Sequence, residues 1–313
     1  MYNISKLLKT LLIGLVFVSF VACSDDDDDI TVPDGPLTIA EIAANDAQFS
    51  TLVSALSRVN LVGVLSGQGS FTVFAPTNDA FTALGVDLNT LTDAQLTEVL
   101  LYHVIDGEVP SSAIAAGLSY ASSEAATGPD GSRLSLLLEN DGTNVRINNN
   151  ATVIAADVEA SNGVIHVVDQ VIMPLDLVGH AVANSNFTSL VGALGAAEGD
   201  LVNVLSGTGP FTVFAPTNTA FDAIADVAAT LSPTQLSSVL TYHVLSGNIR
   251  STALSDDMSV TTVNGEGFTI DLSGNAPTIT DAQNRSSTIV ATDVQATNGV
   301  IHVLDTVILP VNL

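Results

Sequence analysis

Apolar positions along the chain alternate between a helical and an extended spacing. In residues 49–56 and 187–194 they recur every three or four positions, which predicts a helix with one buried face in each segment. Residues 71–75 form a short apolar, aromatic-rich run that Pro76 closes, and such a run favours a strand. The chain therefore combines helices and strands.

Further helices and strands follow from the same pattern. Thr77 or Asn78 can cap the helix after the first strand, as Thr217 or Asn218 can after its counterpart, which gives these four residues structural roles. Residues 92–102 predict another helix. The later segments read as strands: 133–139, 145–148, 152–158, 164–174, 268–272, 288–294 and 300–310. Helices followed by strands indicate an α+β fold.

Three sequence blocks occur twice. The block at 71–81 recurs 140 residues later at 211–221, and Tyr102-His103-Val104 recurs as Tyr242-His243-Val244. The block at 162–169 recurs 136 residues later, at 298–305. A repeat of this length has the size of a domain. We therefore predict two tandem domains, a first copy at 37–174 and a second copy at 175–313.

The repeated blocks resemble a known family. Phe-Thr-Val-Phe-Ala-Pro-Thr-Asn-x-Ala-Phe, then Tyr-His, then Asn-Gly-Val-Ile-His-Val occur in this order in both copies, and together they resemble the fasciclin (FAS1) domain. The resemblance implies two tandem domains, each a β-sandwich or wedge of two sheets with a helical layer. It also implies extracellular adhesion or matrix interaction.

The N-terminus reads as a secretion signal. Lys6 and Lys9 precede an apolar stretch at 11–22, which is shorter than the roughly 20 residues of a membrane-spanning helix. Phe20-Val21-Ala22-Cys23 resembles a bacterial lipoprotein box, which implies removal of residues 1–22 and lipidation of Cys23. The alternative is an ordinary signal peptide with an incidental cysteine.

Residues 23–36 predict an acidic, disordered tether. Five consecutive aspartates at 25–29 repel one another and stay hydrated. The run also resembles the export tag of surface-exposed lipoproteins, which implies an outer-membrane lipoprotein at the cell surface of a gram-negative bacterium. Weak calcium binding is the other reading, but a run without a turn glycine makes no cage.

Charge and composition exclude several classes of protein. The 313 residues carry 7 Lys+Arg against 33 Asp+Glu, a net charge of −26. Without residues 1–22, five arginines face 33 carboxylates, a net charge of −28. Nucleic-acid binding needs cations and is therefore excluded. A single cysteine cannot form an intramolecular disulfide. We also expect a monomer with no metal and no cofactor.

Five aromatic and histidine side chains are candidate partner contacts: Tyr102, His103, Tyr242, His243 and Tyr120. The Tyr-His pairs can form a contact surface, or they can be buried polar pairs whose imidazoles bind the backbone. Tyr120 is the one tyrosine outside both the signal and these pairs.

His166 and His302 lie in alternating apolar runs that predict strands, so a structural role is expected for both. Asp157 and Asp169 recur as Asp293 and Asp305. Paired carboxylates could serve glycoside hydrolysis, but each lies where it can bind backbone amides. No Gly-x-Ser-x-Gly or His-Glu-x-x-His motif is present, so no enzyme is expected.

These observations favour a non-enzymatic, lipid-anchored surface protein that binds another cell, a matrix protein or a glycan through two domains. The alternative is an accessory lipoprotein that captures glycans for polysaccharide uptake. Aromatic residues are only 5% of the chain, which limits stacking on sugars.

Overall fold

A computed structural model describes residues 35–313. The predicted signal peptide at 1–22, the lipidation site Cys23 and nearly all of the tether at 23–36 lie outside the described residues. Within 35–313, no helix combines the length and the hydropathy that crossing a membrane requires.

The first copy begins with helices and continues mainly as strands. Three helices precede the first strand, and two more separate it from the remaining strands. The elements are α1 Ile39–Asn45, α2 Ser50–Arg58, α3 Val62–Leu65, β1 Phe71–Pro76, α4 Asn78–Leu84, α5 Asp93–Tyr102, β2 Val104–Asp106, β3 Gly117–Ser122, β4 Ser135–Asn140, β5 Val145–Ile147, β6 Ala151–Ala160 and β7 Gly163–Val168.

The second copy repeats this order, with one extra short helix. Its elements are α6 Leu177–Ala183, α7 Thr188–Ala196, α8 Leu201–Ser206, β8 Phe211–Pro216, α9 Asn218–Asp222, α10 Ala225–Ala228, α11 Pro233–Tyr242, β9 Val244–Ser246, β10 Met258–Thr261, β11 Gly267–Asp271, β12 Thr278–Thr280, β13 Ser286–Ala296 and β14 Gly299–Leu304. The predicted α+β fold class is confirmed.

Each copy forms one seven-stranded sheet. The strand orders are β2-β1-β7-β6-β5-β4-β3 and β10-β11-β12-β13-β14-β8-β9. β1 pairs with β7 in parallel, as β8 does with β14, and the other pairs are antiparallel. Register shifts in the long strands β6 and β13 bend each sheet. The two expected sheets of each domain are therefore parts of one continuous bent sheet.

Two hydrophobic cores lie on opposite faces of β1. Successive side chains of a strand point to opposite faces. Val73 and Ala75 therefore pack with the helices, against Leu52 and Leu96. Phe74, fully buried, packs with Leu136 and Ile147 of the folded-over sheet. Burying one such side chain contributes about 2 kcal/mol, so both layers are needed for stability.

The last predicted strand of each copy is too long. The ladder of β7 ends at Val168, although the apolar run continues through Val171 and Ile172. Asp169 makes the last contacts with β6: its backbone N donates to the carbonyl of Thr152 at 3.1 Å, and its carboxylate accepts from the backbone N of Thr152 at 2.7 Å. Val171 and Ile172 are buried in the core without belonging to a strand.

Candidate functional site

The repeated Thr-Asn pairs hold helices in place. Thr77 Oγ1 accepts a hydrogen bond from Ala80 N at 3.2 Å and caps α4. Asn78 Oδ1 instead accepts from Thr51 N at 2.9 Å, at the start of α2. Thus the two residues cap different helices, so each pair ties two helices together. Thr217 and Asn218 make the equivalent bonds in the second copy.

The Tyr-His pairs are buried. Tyr102 is 0% exposed and His103 is 3% exposed. His103 Nδ1 donates to the carbonyl of Val99 at 2.7 Å, and its Nε2 accepts from Ile172 N at 2.9 Å. Burial lowers the pKa of His103 to about 4, so the ring is neutral near pH 7.

The second copy repeats this arrangement. His243 donates to the carbonyl of Val239 at 2.8 Å and accepts from Ile308 N at 3.2 Å. Tyr242 is fully buried, and its hydroxyl donates to the carbonyl of Gly267 at 2.7 Å. A surface contact by Tyr102, His103, Tyr242 or His243 is therefore wrong, because no partner can reach these side chains. The alternative of buried pairs that bind the backbone agrees with the structure.

His166 and His302 are also used within the fold. His166 Nε2 donates to the carbonyl of Val109 at 3.0 Å, and His302 Nε2 donates to that of Ile249 at 2.9 Å. Each ring lies beside a buried phenylalanine, with 5.6 Å between the ring centroids of Phe74 and His166. In residues 35–313, no three His, Cys, Asp or Glu side chains are grouped so that they could bind a metal.

The repeated aspartates bind backbone and serine groups. Asp157 accepts from Ser111 N at 2.7 Å and from the Ser111 hydroxyl at 2.5 Å. These two bonds, chiefly the one from the hydroxyl, lower the pKa of Asp157. Asp293 makes the same two bonds to Ser251. A carboxylate held in this way supports a loop, and its lowered pKa does not suit a general acid at neutral pH.

Tyr120 lies between the two copies. Its hydroxyl accepts a hydrogen bond from Asn184 Nδ2 at 2.9 Å, and its ring meets that of His180 edge-on at 5.9 Å. His180 is 0% exposed, and neither of its ring nitrogens has a hydrogen-bond partner among the described residues. Tyr120, predicted as a free contact residue, is thus half-buried at the junction of the copies.

Gln295 makes a second contact between the two copies. Its backbone N donates to Ser135 Oγ of the first copy at 2.9 Å. Its side-chain Nε2 donates to the carbonyl of Gly299 at 2.7 Å and to Asn248 Oδ1 at 3.1 Å. Asn248 in turn donates to the carbonyl of Pro129 at 3.3 Å. Direct hydrogen bonds therefore join the two copies.

The sequence reasoning missed His180, Asn184 and Gln295. At the equivalent positions the first copy has Ile42, Asp46 and Glu159, of which Glu159 is exposed. A comparison of the copies position by position provides the missing signal, because a difference at matched positions marks a site that only one copy needs.

A polar cleft of about 440 Å³ opens beside this junction. Tyr120, Arg133 and Ser135 of the first copy line it, and Arg250 and Gln295 of the second copy complete it. It is the place where the described chain brings two cations of different copies to one concave surface. We therefore take this cleft as the candidate binding site.

The family model of the fasciclin domain matches residues 47–174 and 185–310. The chain belongs to the fasciclin domain family. Fasciclin domains are found in cell-adhesion proteins and in extracellular proteins. The two matches place one fasciclin domain in each copy.

Several proteins are similar to this fasciclin-domain chain. Protein sll1483 of Synechocystis sp. is 44% identical over 147 residues, covering 45% of this chain and 76% of the relative. Transforming growth factor-beta-induced protein ig-h3 of Sus scrofa is 31% identical over 257 residues, covering 79% of this chain. The chain spans 35% of the length of that relative.

Among solved structures, a FAS1 domain pair from the insect cell adhesion molecule Fasciclin I is similar. The aligned region covers 82% of this chain and 92% of the solved chain, with 18% sequence identity and a TM-score of 0.49.

Proposed function

We propose that this protein is a non-enzymatic adhesion or surface-binding protein, held outside the cell by lipid on Cys23. The observation that carries the proposal is the pair of fasciclin domains behind a lipoprotein-like N-terminus. The partner is an extracellular protein or a glycan, and the protein acts as a monomer at the surface of a gram-negative outer membrane.

Charge supports a lipid attachment. After removal of residues 1–22 the chain has a net charge of −28 and no lysine. Such a chain is repelled by anionic headgroups and has no basic patch for electrostatic membrane binding. Two or more acyl chains anchor a protein stably, whereas one chain binds only marginally.

The absence of catalysis is supported by the engagement of the candidate groups. The candidate side chains already bind backbone or serine groups of the fold: His103, His166 and Asp157 in the first copy, and His243, His302 and Asp293 in the second. A general base needs to reach a substrate proton, and the buried imidazoles do not.

Protease shaving of intact cells tests the anchor and the topology together. We expect the wild-type protein in the membrane fraction and degraded by added protease, and Cys23→Ser released from the membrane. Attachment of a deletion strain to matrix or to other cells should fall, and the wild-type gene should restore it. Unchanged attachment by the deletion strain would contradict the adhesion proposal.

A second candidate is glycan capture for polysaccharide uptake. It is favoured by the position of Tyr120, which lines the polar cleft. A glycan array should then show binding to neutral or charged polysaccharides, and growth on the bound polysaccharide should require the gene. Growth that is normal without the gene would exclude this role.

A further inference from the structure

The cleft between the copies concentrates positive charge in a strongly acidic chain. Residues 35–313 contain five arginines and no lysine, and Arg133 and Arg250 both line this one cleft. Residues 35–313 contain far more carboxylates than arginines, and the other three arginines are each paired with a carboxylate, so the net charge disfavours an anion elsewhere. The cleft with Arg133 and Arg250 is therefore where we expect a negatively charged ligand to bind.

Among residues 35–313, Arg250 is the arginine without an ion-pair partner. Four of the arginines lie within 4 Å of a carboxylate, including Arg133, whose guanidinium is 2.7 Å from Glu124. Within the described part of the chain, Arg250 has no such carboxylate, and its side chain is exposed. A guanidinium without an ion-pair partner retains its full capacity for a fork-like contact with a carboxylate or sulfate.

Neither arginine follows from the repeated fold. Shared hydrogen bonds match the copies, because Tyr102 donates to the carbonyl of Ser135 as Tyr242 does to that of Gly267. By this alignment of the copies, Gly265 is the residue of the second copy that is equivalent to Arg133. Pro110 is the residue of the first copy that is equivalent to Arg250, since each precedes the serine that binds the repeated aspartate. The cations are thus specific to the cleft and not to the domain.

The other groups of the cleft indicate the size and chemistry of the ligand. Ser122, Ser132 and Thr292 supply hydroxyls, which pair with the hydroxyls of a sugar. Asp293 also lines the cleft, and its carboxylate is bound by Ser251. This carboxylate and Glu124 beside Arg133 disfavour a doubly charged phosphate more than a singly charged carboxylate or sulfate. A volume of about 440 Å³ lies in the range of small-ligand sites.

We propose that the cleft binds an acidic sugar residue of a glycan, with its carboxylate or sulfate on Arg250 and Arg133 and its hydroxyls on the serine and threonine side chains. This inference rests on the proposed surface-binding function and names the chemistry of its ligand.

The experiment is calorimetric titration of the full-length protein in detergent. Trigalacturonate and its methyl ester differ in charge and share the sugar scaffold, and dextran sulfate and dextran form a second such pair. We expect the charged member of at least one pair to bind, more weakly as NaCl is raised, and both neutral members to bind at least tenfold more weakly. The pair that binds separates carboxylate from sulfate.

Arg250→Gln is expected to weaken binding about tenfold or more, since a hydrogen-bonded charge is lost. Arg133→Gln should weaken it as well. The matched control is Arg146→Gln, because Arg146 is about as exposed as Arg133, pairs with Glu139 at 3.7 Å and lies outside the cleft. Thermal unfolding of each variant checks that it folds.

Three results would overturn the proposal. They are equal binding of charged and neutral oligomers, equal weakening by Arg146→Gln and Arg250→Gln, and Arg250-dependent binding of polyglutamate as tight as that of the sugar acids. The last would make the cleft a site for acidic peptides. Attachment of cells carrying Arg250→Gln separates the two proposals: attachment lost with the gene but kept by this variant refutes the cleft's role and leaves the adhesion function standing.

Discussion

All five histidines of the chain are buried, and protonation of His103, His180 and His243 is coupled to folding. Burial lowers the pKa of His103, His180 and His243 from 6.5 to about 4. The unfolded chain therefore binds more protons than the folded chain between these values. Their contribution to stability is complete above pH 6.5 and is lost as the pH falls toward 4.

His180 and His103 differ in one respect that can be tested. His103 uses both ring nitrogens, whereas His180 uses neither among the described residues. His103→Leu leaves a buried carbonyl and a buried N–H unpaired, so we expect a loss of about 2–4 kcal/mol in the free energy of unfolding at pH 7. His180→Leu breaks no hydrogen bond of ordinary geometry, although the Gln295 backbone lies close enough to the ring to favour its charged form, and it should change that free energy by less than about 1 kcal/mol.

Urea unfolding at pH 7.5 and pH 4.5 measures both effects. The wild type should be less stable at the lower pH, and His180→Leu should reduce this difference because one titrating group is removed. A loss at pH 7.5 for His180→Leu as large as that for His103→Leu would show that the His180 ring makes a full hydrogen bond, for which the Gln295 backbone is the candidate partner.

At the scale of the elements, β7 packs so closely against β1 that it begins with a glycine. Gly163 has φ 142°, and a Cβ there would collide with the backbone oxygen of Phe71. Gly299 stands in the same relation to Phe211 in the second copy. The glycine of the repeated Asn-Gly is therefore needed for the parallel pairing at the centre of each sheet.

Two glycine substitutions give opposite results by this argument. Gly163→Ala should lower the free energy of unfolding by more than about 3 kcal/mol, because strand pairing and backbone conformation are both disturbed. Gly192→Ala in α7 meets no atom within 4 Å and should raise it by about 0.5–1 kcal/mol. Chemical denaturation measures both, and a stable Gly163→Ala variant would contradict the close packing.

The sequence predicted the clearly periodic elements and missed several short ones, although the three-residue strand β5 was predicted at 145–148. α2, α5 and β1 follow from apolar spacing and a cap or proline at one end. β2 and β12 have three residues each, too few for a period to be recognised. Helical capping could be predicted from Thr77-Asn78, but that Asn78 caps α2 depends on contacts between distant segments.

The candidate site was harder to predict for a related reason. The Tyr-His pairs stand out because they repeat, and repetition marks what the fold needs in both copies. The cleft depends on Tyr120, Arg133 and Arg250, which do not repeat, and on packing that brings the copies together. The residues that repeat therefore form the buried framework, and residues that differ between the copies form the site.

For the whole molecule, the two copies behave as parts of one compact unit that spans residues 35–313. Gln295 holds this junction, whereas Glu159 occupies the equivalent place on the first copy and is exposed. We therefore expect Gln295→Glu and Glu159→Gln to have different effects on the stability of the protein.

Gln295→Glu puts a carboxylate against the carbonyls of Gly299 and Ala296, where the amide now donates. A buried charge without a partner costs about 3–5 kcal/mol, so the copies should separate and unfold in two calorimetric transitions, the second copy at the lower temperature. Glu159→Gln is the matched control, and we expect its melting profile to equal that of the wild type. A single unshifted transition for Gln295→Glu would mean that contacts other than those of the Gln295 side chain, such as Tyr120 with Asn184, hold the copies together.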